Sequence, residues 1–469
     1  MAGITRSKLR NNDFSQGPVW KCVLAQAIPL MIAQLVHLLY NVVDRIYIGH
    51  MGDGQSLALT GIGLTFPIVT LVIAFAALFG TGGVPLFASE RGAGDDAKAG
   101  RILGNSFLLL LISGVVLTAL CYLFHRPILF AFGASEASFV YASDYLRIYL
   151  IGTVFSVTAT GLNGYINAQG FPTVGMASVV IGAVVNIALD PIFIFSLDMG
   201  VAGAAAATVI SQALSAAWVL GFLFSKRAII PIKKNNIKLD KEIVRDISKL
   251  GASSFVFQAT ACGVQIACNT MLQAYGGDLY VGVMTVANSI REIFSLPVMG
   301  VVNGAMPVIS YNYGARAYDR ARAGIRFNAA AGLGYTVAAW ALMLLLPRFF
   351  IGIFTDDPAV MEAGVPMLHI YFFGFAFMAL QFTGQTTFQS VKDAKHAIFF
   401  SLLRKAIIVI PLTLILPAVG FGVRGVFLAE PISNVIGGTA CFVTMYITVY
   451  RRLGRLADLQ KAEQEEASS

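Results

Sequence analysis

Uninterrupted apolar runs recur along almost the whole chain, and two of them, 102–124 and 201–224, pass through more than twenty residues without one charged side chain. A helix of about 20 such residues crosses the roughly 30 Å hydrocarbon core of a bilayer. A soluble fold would have to bury every one of these runs, and it would carry about 25% charged residues to stay in water. Here 12% of the residues are charged and 57% are hydrophobic. The solvent of this chain is therefore lipid. Apolar runs between charged or Gly/Pro-rich breaks predict twelve spans, near 20–48, 57–87, 102–124, 139–168, 173–196, 200–224, 250–275, 280–312, 326–346, 364–390, 396–417 and 422–449. The predicted fold class is an all-α integral membrane protein.

Lys and Arg crowd alternate connections, including both termini, whereas the intervening connections hold only Arg126 and Arg348. Both termini are thus expected in the cytoplasm. The most basic connection, 226–249, carries Lys226, Arg227, Lys233, Lys234, Lys238, Lys241, Arg245 and Lys249 and divides six spans from six. This predicts an N-lobe over 1–225, a cytoplasmic linker over 226–249, a C-lobe over 250–450 and a cytoplasmic tail over 451–469. The net charge of +8 fits basic segments lying against anionic cytoplasmic lipid and calls for no nucleic-acid partner. The first 18 residues run directly into the first span, so no cleaved signal peptide is expected. Cys22, Cys121, Cys262, Cys268 and Cys441 fall in or beside apolar segments without metal-ligand spacing. Neither disulfides nor zinc are expected.

The two sixes are copies of one another. An offset of 222 residues aligns Gly54 with Gly276, Gly82 with Gly304, Pro85 with Pro307, Gly92-Ala93 with Gly314-Ala315 and Phe132 with Phe354. The same register continues through Tyr149 and Tyr371, Gly152 and Gly374, Phe155 and Phe377, and the Gly200-Val201-x-Gly203 and Gly422-Val423-x-Gly425 segments. With an even number of spans per copy, both copies start on the same side of the membrane and are related by an axis along its normal. Duplicated bundles of this kind predict a cavity between two lobes with alternate access to each side, the plan of a carrier.

The duplicated spans, the stretch Asn41-Val-Val-Asp44-Arg-Ile-Tyr-Ile-Gly49-His-Met-Gly52, the segment Pro307-Val-Ile-Ser-Tyr-Asn-Tyr-Gly314-Ala and Asp190-Pro-Ile-Phe-Ile194 together resemble the multidrug and toxic compound extrusion family. The likeness covers nearly the whole chain and is strongest to the bacterial branch that extrudes biocides and dyes. It implies a V-shaped twelve-helix antiporter in the bacterial inner membrane, a monomer without cofactor, exchanging protons or sodium for amphipathic, often cationic, drugs.

Carboxylates are costly in hydrocarbon, so acids inside spans are functional candidates. Asp44 and Asp190 sit at similar depths near the outer ends of the first and fifth spans. Facing one another in a poorly solvated site, they would favour taking up a proton or would hold sodium. Asn186, one turn before Asp190, and Thr208 of the sixth span add neutral oxygens. In the resembled family these four positions match a cation site of the first lobe, and Asn163 matches as well. The bland alternative pairs Asp44 with Arg45 and makes Asp190-Pro191 an ordinary kinked helix end. The second lobe lacks the acidic pair that another branch of the family uses. There Gln258, Gln265, Gln381 and Gln385 either line a substrate cavity or bond helices together, and Gln34 and Tyr40 are similar cavity candidates on the first span. Arg404 and Glu430 are expected at similar depth as a buried structural ion pair, while Arg291 and Glu292, adjacent in sequence, each need another partner.

Two rivals belong beside the exporter. A flippase of lipid-linked saccharides would need several cationic side chains in its cavity, and few basic residues lie inside spans. A membrane-embedded enzyme would need a nucleophile with its base or a metal cluster at membrane depth, and His37 and His369 stand alone in sequence. No repeated filter motif points to a channel.

Overall fold

The computed structural model describes residues 13–48, 55–132 and 134–468. The Gly49–Gly52 end of the first-span stretch and Gly54 of the repeat lie outside the described residues, and so does the side chain of Arg45. Every element among the described residues is helical.

In chain order the helices are α1 (Val19–Ile48), α2 (Gln55–Gly92), α3 (Asp96–Leu123), the short α4 (His125–Ala131), α5 (Glu136–Ala168), α6 (Pro172–Pro191), α7 (Gly200–Leu223) and α8 (Lys241–Gly314). They continue with α9 (Tyr318–Leu345), the short α10 (Pro347–Gly352), α11 (Pro358–Phe372), α12 (Phe375–Ser390), α13 (Ala394–Leu402), α14 (Ile410–Leu416), α15 (Gly422–Ser433), α16 (Thr439–Met445) and α17 (Arg451–Ser468). Widened π-helical turns join α13 to α14 (Leu403–Val409), α15 to α16 (Asn434–Gly438) and α16 to α17 (Tyr446–Tyr450), and one extends α6 over Ile192–Ser196. Among the described residues ten stretches are long and apolar enough to cross a membrane, and two of these, Lys241–Gly314 and Ala394–Glu466, run to 74 and 73 residues. One crossing uses about 20 residues, so each long stretch supplies two. The first is interrupted at Gly277 (φ 64, ψ −165) and the second at Val419 and Gly420. That division gives the twelve spans expected from the sequence.

The copies repeat in three dimensions. Helix starts at Val19, Asp96, His125, Glu136, Pro172 and Gly200 recur 222 residues later at Lys241, Tyr318, Pro347, Pro358, Ala394 and Gly422. Left-handed backbone positions recur at the same offset, Gly94 with Arg316, Gly170 with Lys392, Asp198 with Gly420 and Gly200 with Gly422. The short helices α4 and α10, which the apolar runs alone do not reveal, are one such pair.

The described residues form two compact units, one holding Ile32–Gln258, the other holding Phe14–Met31 and the described residues from Ala259 onward. In the first, α5 runs through the middle, packed on α2, α3 and α7. Close crossings are made by small residues: a Cβ on Gly80 would stand 2.6 Å from the Cα of Gly161, and one on Gly82 would stand 2.7 Å from that of Gly251. Such crossings suit helices in lipid, where association comes from packing and not from escape from water. The large side chains left outside, among them Leu123 at 73% exposed and Ile151 at 62%, form an apolar surface of the kind lipid covers. The predicted linker is shorter than its sequence suggests, because α8 already begins at Lys241. Its preceding residues are held on the first unit, Ile230 N donating to Gln169 Oε1 (2.9 Å) and Asp240 N to Asn105 Oδ1 (2.8 Å).

In the second unit α12 takes the central place, packed on α9, α13 and α16. The start of α1 belongs here. Arg320 donates to the carbonyls of Phe14 (2.9 Å) and Gly17 (2.8 Å), and Phe14 fills a buried position beneath them.

Candidate functional site

Asp190 stands at the last regular turn of α6, before Pro191 and the widened turn Ile192–Ser196, and its side chain is 0% exposed. Proline offers no N–H to the helical ladder, and π-helical turns of this kind often mark functional positions. One turn back, buried Asn186 donates from Nδ2 to Asp190 Oδ1 (3.2 Å) and approaches Thr208 Oγ1 (3.5 Å) with the same nitrogen. Thr208 on α7 donates its hydroxyl proton to the Ala204 carbonyl (2.9 Å), so it meets Asn186 as an acceptor. Tyr145 of α5 stands beside Thr208.

From α1, the Asp44 carboxyl stands close beside that of Asp190. Asp190 Oδ2 and Asn186 Oδ1 are buried and receive no amide, amine or hydroxyl donor among the described residues. Buried polar atoms are nearly always satisfied, so oxygens like these call for an explanation. A proton or a hard cation would satisfy them, since Asp44, Asp190, Asn186 and Thr208 present only oxygens to it. Tyr40 is within electrostatic reach of Asp44, Asp190 and Tyr149. Tyr145 and Tyr149 stack with ring centroids 5.9 Å apart on the neighbouring face of α5. Tyr145 reads in the sequence as one more apolar position inside a span, and Tyr149 shows there only as a repeat partner of Tyr371.

Asn163 does not join this group. Its Nδ2 donates to the Gly175 carbonyl (2.9 Å) and to Ser178 Oγ (2.6 Å), and Asn167 donates to its Oδ1 (3.1 Å). It therefore ties α5 to the opposite end of α6, about 12 Å along that helix from Asn186 at 1.5 Å per residue.

The remaining candidates divide. Gln34 and Gln258 are half-buried in the first unit. Gln381 and Gln385 are buried in the second and bond one another (3.3 Å), the Phe400 carbonyl (3.4 Å) and Ser401 Oγ, which joins α12 to α13. Gln265 is exposed and reaches Asn269 (2.9 Å) and Asn288 (3.4 Å).

Glu430 has more company than the pairing with Arg404 inferred from sequence. Arg404 Nη1 is 3.7 Å from its Oε1, but Lys405 Nζ donates to both oxygens (2.9 and 3.2 Å) and Arg291 Nη1 to Oε1 (2.9 Å). Arg404 Nη1 donates instead to Asn434 Oδ1 (2.5 Å). Arg291 thus has its partner. The expectation that basic residues are scarce inside spans is corrected for the second unit, where three meet at one point. A lysine beside Arg404 in an apolar run was the signal in the sequence.

The sequence profile of the MatE family matches residues 29–192 and again 254–415, two stretches of nearly equal length. The chain is similar to the multidrug export protein MepA of Staphylococcus aureus, 25% identical over 437 residues that cover 92% of this chain and 95% of that protein. The corresponding protein of Staphylococcus saprophyticus is 25% identical over 452 residues, covering 96% and 97%. Among solved structures, an outward-facing multidrug resistance MATE family transporter of the MOP superfamily superposes with a TM-score of 0.88 at 25% identity, over 95% of this chain and 98% of that one. A MOP superfamily transporter from Pyrococcus furiosus, described by the reverse polarity of its binding pocket, gives the same TM-score, identity and coverage.

Proposed function

Because this chain belongs to the MatE family of multidrug efflux transporters, we propose that it exports amphipathic, often cationic, organic compounds across the bacterial cell membrane in exchange for protons or sodium, with Asp190 and Asp44 carrying the coupling ion. The observation that carries this reading is the Asp44 carboxyl set beside buried Asp190, with the unsatisfied oxygens of Asp190 and Asn186 next to it. A proton or sodium ion entering from outside occupies these oxygens and leaves to the cytoplasm. Exchange follows when ion and drug favour different conformations of the protein, because each then weakens the binding of the other. At ~150 mV one translocated charge supplies about 3.5 kcal/mol, enough for a drug gradient of roughly 300-fold. Thr208 and Asn186 position the acceptors, and Tyr40, Tyr145 and Tyr149 close the apolar side of the site.

Everted vesicles energised in turn by a proton gradient and by a sodium gradient test the proposal through efflux of a cationic dye. Asp190→Asn keeps the shape and bonding capacity of the side chain but cannot ionise. It should abolish uphill efflux at normal expression, and Asp44→Asn should do likewise. Wild-type efflux by Asp190→Asn at equal expression would move the coupling to another group. The gradient that drives the wild type identifies the ion.

A further inference from the structure

Two opposite charges line one cavity at the end of the second unit where α11 and α15 begin. The cavity holds about 730 Å³, and Glu362 of α11 and Arg424 of α15 both face it. Sites for small organic groups commonly enclose roughly 300–1,000 Å³. Both side chains are exposed, and neither has an ionic or hydrogen-bonding partner among the described residues. They are therefore available to a ligand.

The position of the cavity says which kind. The first crossing of α8 starts at Lys241 and is interrupted at Gly277, and Leu279 and Tyr280, just past the break, line the cavity. Gly420, at the interruption of the other long stretch, lines it too. It thus lies where crossings end, at the depth of lipid headgroups. Its floor is apolar, with buried Met367 and half-buried Tyr280 and Val423 packed on the core of the unit. Phe421 stands at its rim, 51% exposed, and Val419 and Ile415, one helical turn apart, leave 62% and 54% of their surface uncovered. This apolar stripe leads from the cavity back along the span, which suits an acyl chain better than a water-soluble solute.

A guanidinium matches a phosphate through two parallel N–H donors, and a carboxylate accepts the N–H groups of a primary ammonium. We propose that this cavity binds the headgroup of phosphatidylethanolamine, its phosphate on Arg424, its ammonium on Glu362 and an acyl chain along Phe421, Val419 and Ile415. The site is independent of transport and of the role of Asp190, so its failure and that of the exporter reading are separate results.

Native mass spectrometry of the detergent-purified full chain, incubated with equal amounts of dioleoyl phosphatidylethanolamine, phosphatidylcholine and phosphatidylglycerol, tests it by the lipid retained. Loss of one charge-assisted contact corresponds to about tenfold in affinity. Phosphatidylethanolamine should be retained over phosphatidylcholine, which has no N–H on its ammonium, and over phosphatidylglycerol, which has no ammonium, by about that factor. Glu362→Gln should erase the preference for phosphatidylethanolamine over phosphatidylcholine, and Arg424→Gln should lower retention of both. Glycerophosphoethanolamine in large excess, the headgroup without acyl chains, should displace none of the lipid. Equal retention of the three lipids by wild type, or an unchanged lipid profile in either variant, would overturn the site. Preference for phosphatidylglycerol would overturn the zwitterionic headgroup, and displacement by glycerophosphoethanolamine would replace the lipid with a soluble zwitterion. The comparison of the three lipids on wild type decides the matter even where a variant fails to fold.

Discussion

Glu430 shows how one carboxylate can organise a region of lipid-embedded protein. Lys405, Arg291 and Arg404 converge on it from two other helical segments, and Ser433 Oγ donates to the buried carbonyl of Arg404 (2.8 Å) in the widened turn that presents Arg404 and Lys405. Glu430→Gln keeps the volume and one acceptor but takes the carboxylate away from buried Arg404 and Lys405 and half-buried Arg291, which costs about 3–5 kcal/mol. A clear fall in thermal unfolding temperature and in folded yield is expected, and an unchanged unfolding temperature would contradict the electrostatic account. Asp44 and Asp190 stand out in the sequence because an acid in an apolar run is conspicuous, and helical spacing puts Asn186 beside Asp190, whereas grouping these with Thr208 as one site followed from the family resemblance. Asn163 could not be assigned that way, since an amide bonds a backbone carbonyl as readily as an ion, and depth along α5 does not say which. Tyr145, Tyr149 and Lys405 went unseen for a related reason: their roles depend on which helix faces them.

At the scale of the helices, apolar length gave the number and order of the spans, because lipid imposes a minimum length on all of them, but their starts lie up to nine residues off, as at Lys241 against 250. What length could not give is where helices break. Gly422 opens α15 at φ 52 and ψ −137, outside the regions open to residues with a side chain, and an added Cβ there would meet nothing within 4 Å. Gly422→Ala therefore isolates backbone strain from steric clash. It should lower stability by about 1–3 kcal/mol, read as a fall in the unfolding temperature of purified protein, and a neutral effect would mean that the turn relaxes freely. The widened turns at Leu403–Val409 and Asn434–Gly438 were equally hidden, as no residue type marks them. They aim Arg404 and Lys405 at Glu430 and bring Asn434 to Arg404.

For the whole molecule, the proposed topology puts both termini and the 226–249 connection in the cytoplasm, on the evidence of its basic side chains. A cysteine in place of Lys234 should resist a membrane-impermeant thiol reagent in sealed cells and react once the membrane is opened, and efficient labelling of sealed cells would reverse the orientation. The repeated left-handed positions carry a historical consequence. Gly94 and Gly170 of the first copy correspond to Arg316 and Lys392 in the second, while the position of Gly200 and Gly422 is glycine in both. A left-handed position admits other residues at about 1–2 kcal/mol, a tolerable loss to a lineage, whereas the conformation of Gly422 leaves a descendant almost no alternative. Since their common ancestor the copies have exchanged acids for bases in their interiors but have inherited its turns, so dihedral angles are the older record of its ancestry, and side-chain chemistry is where the two halves have parted.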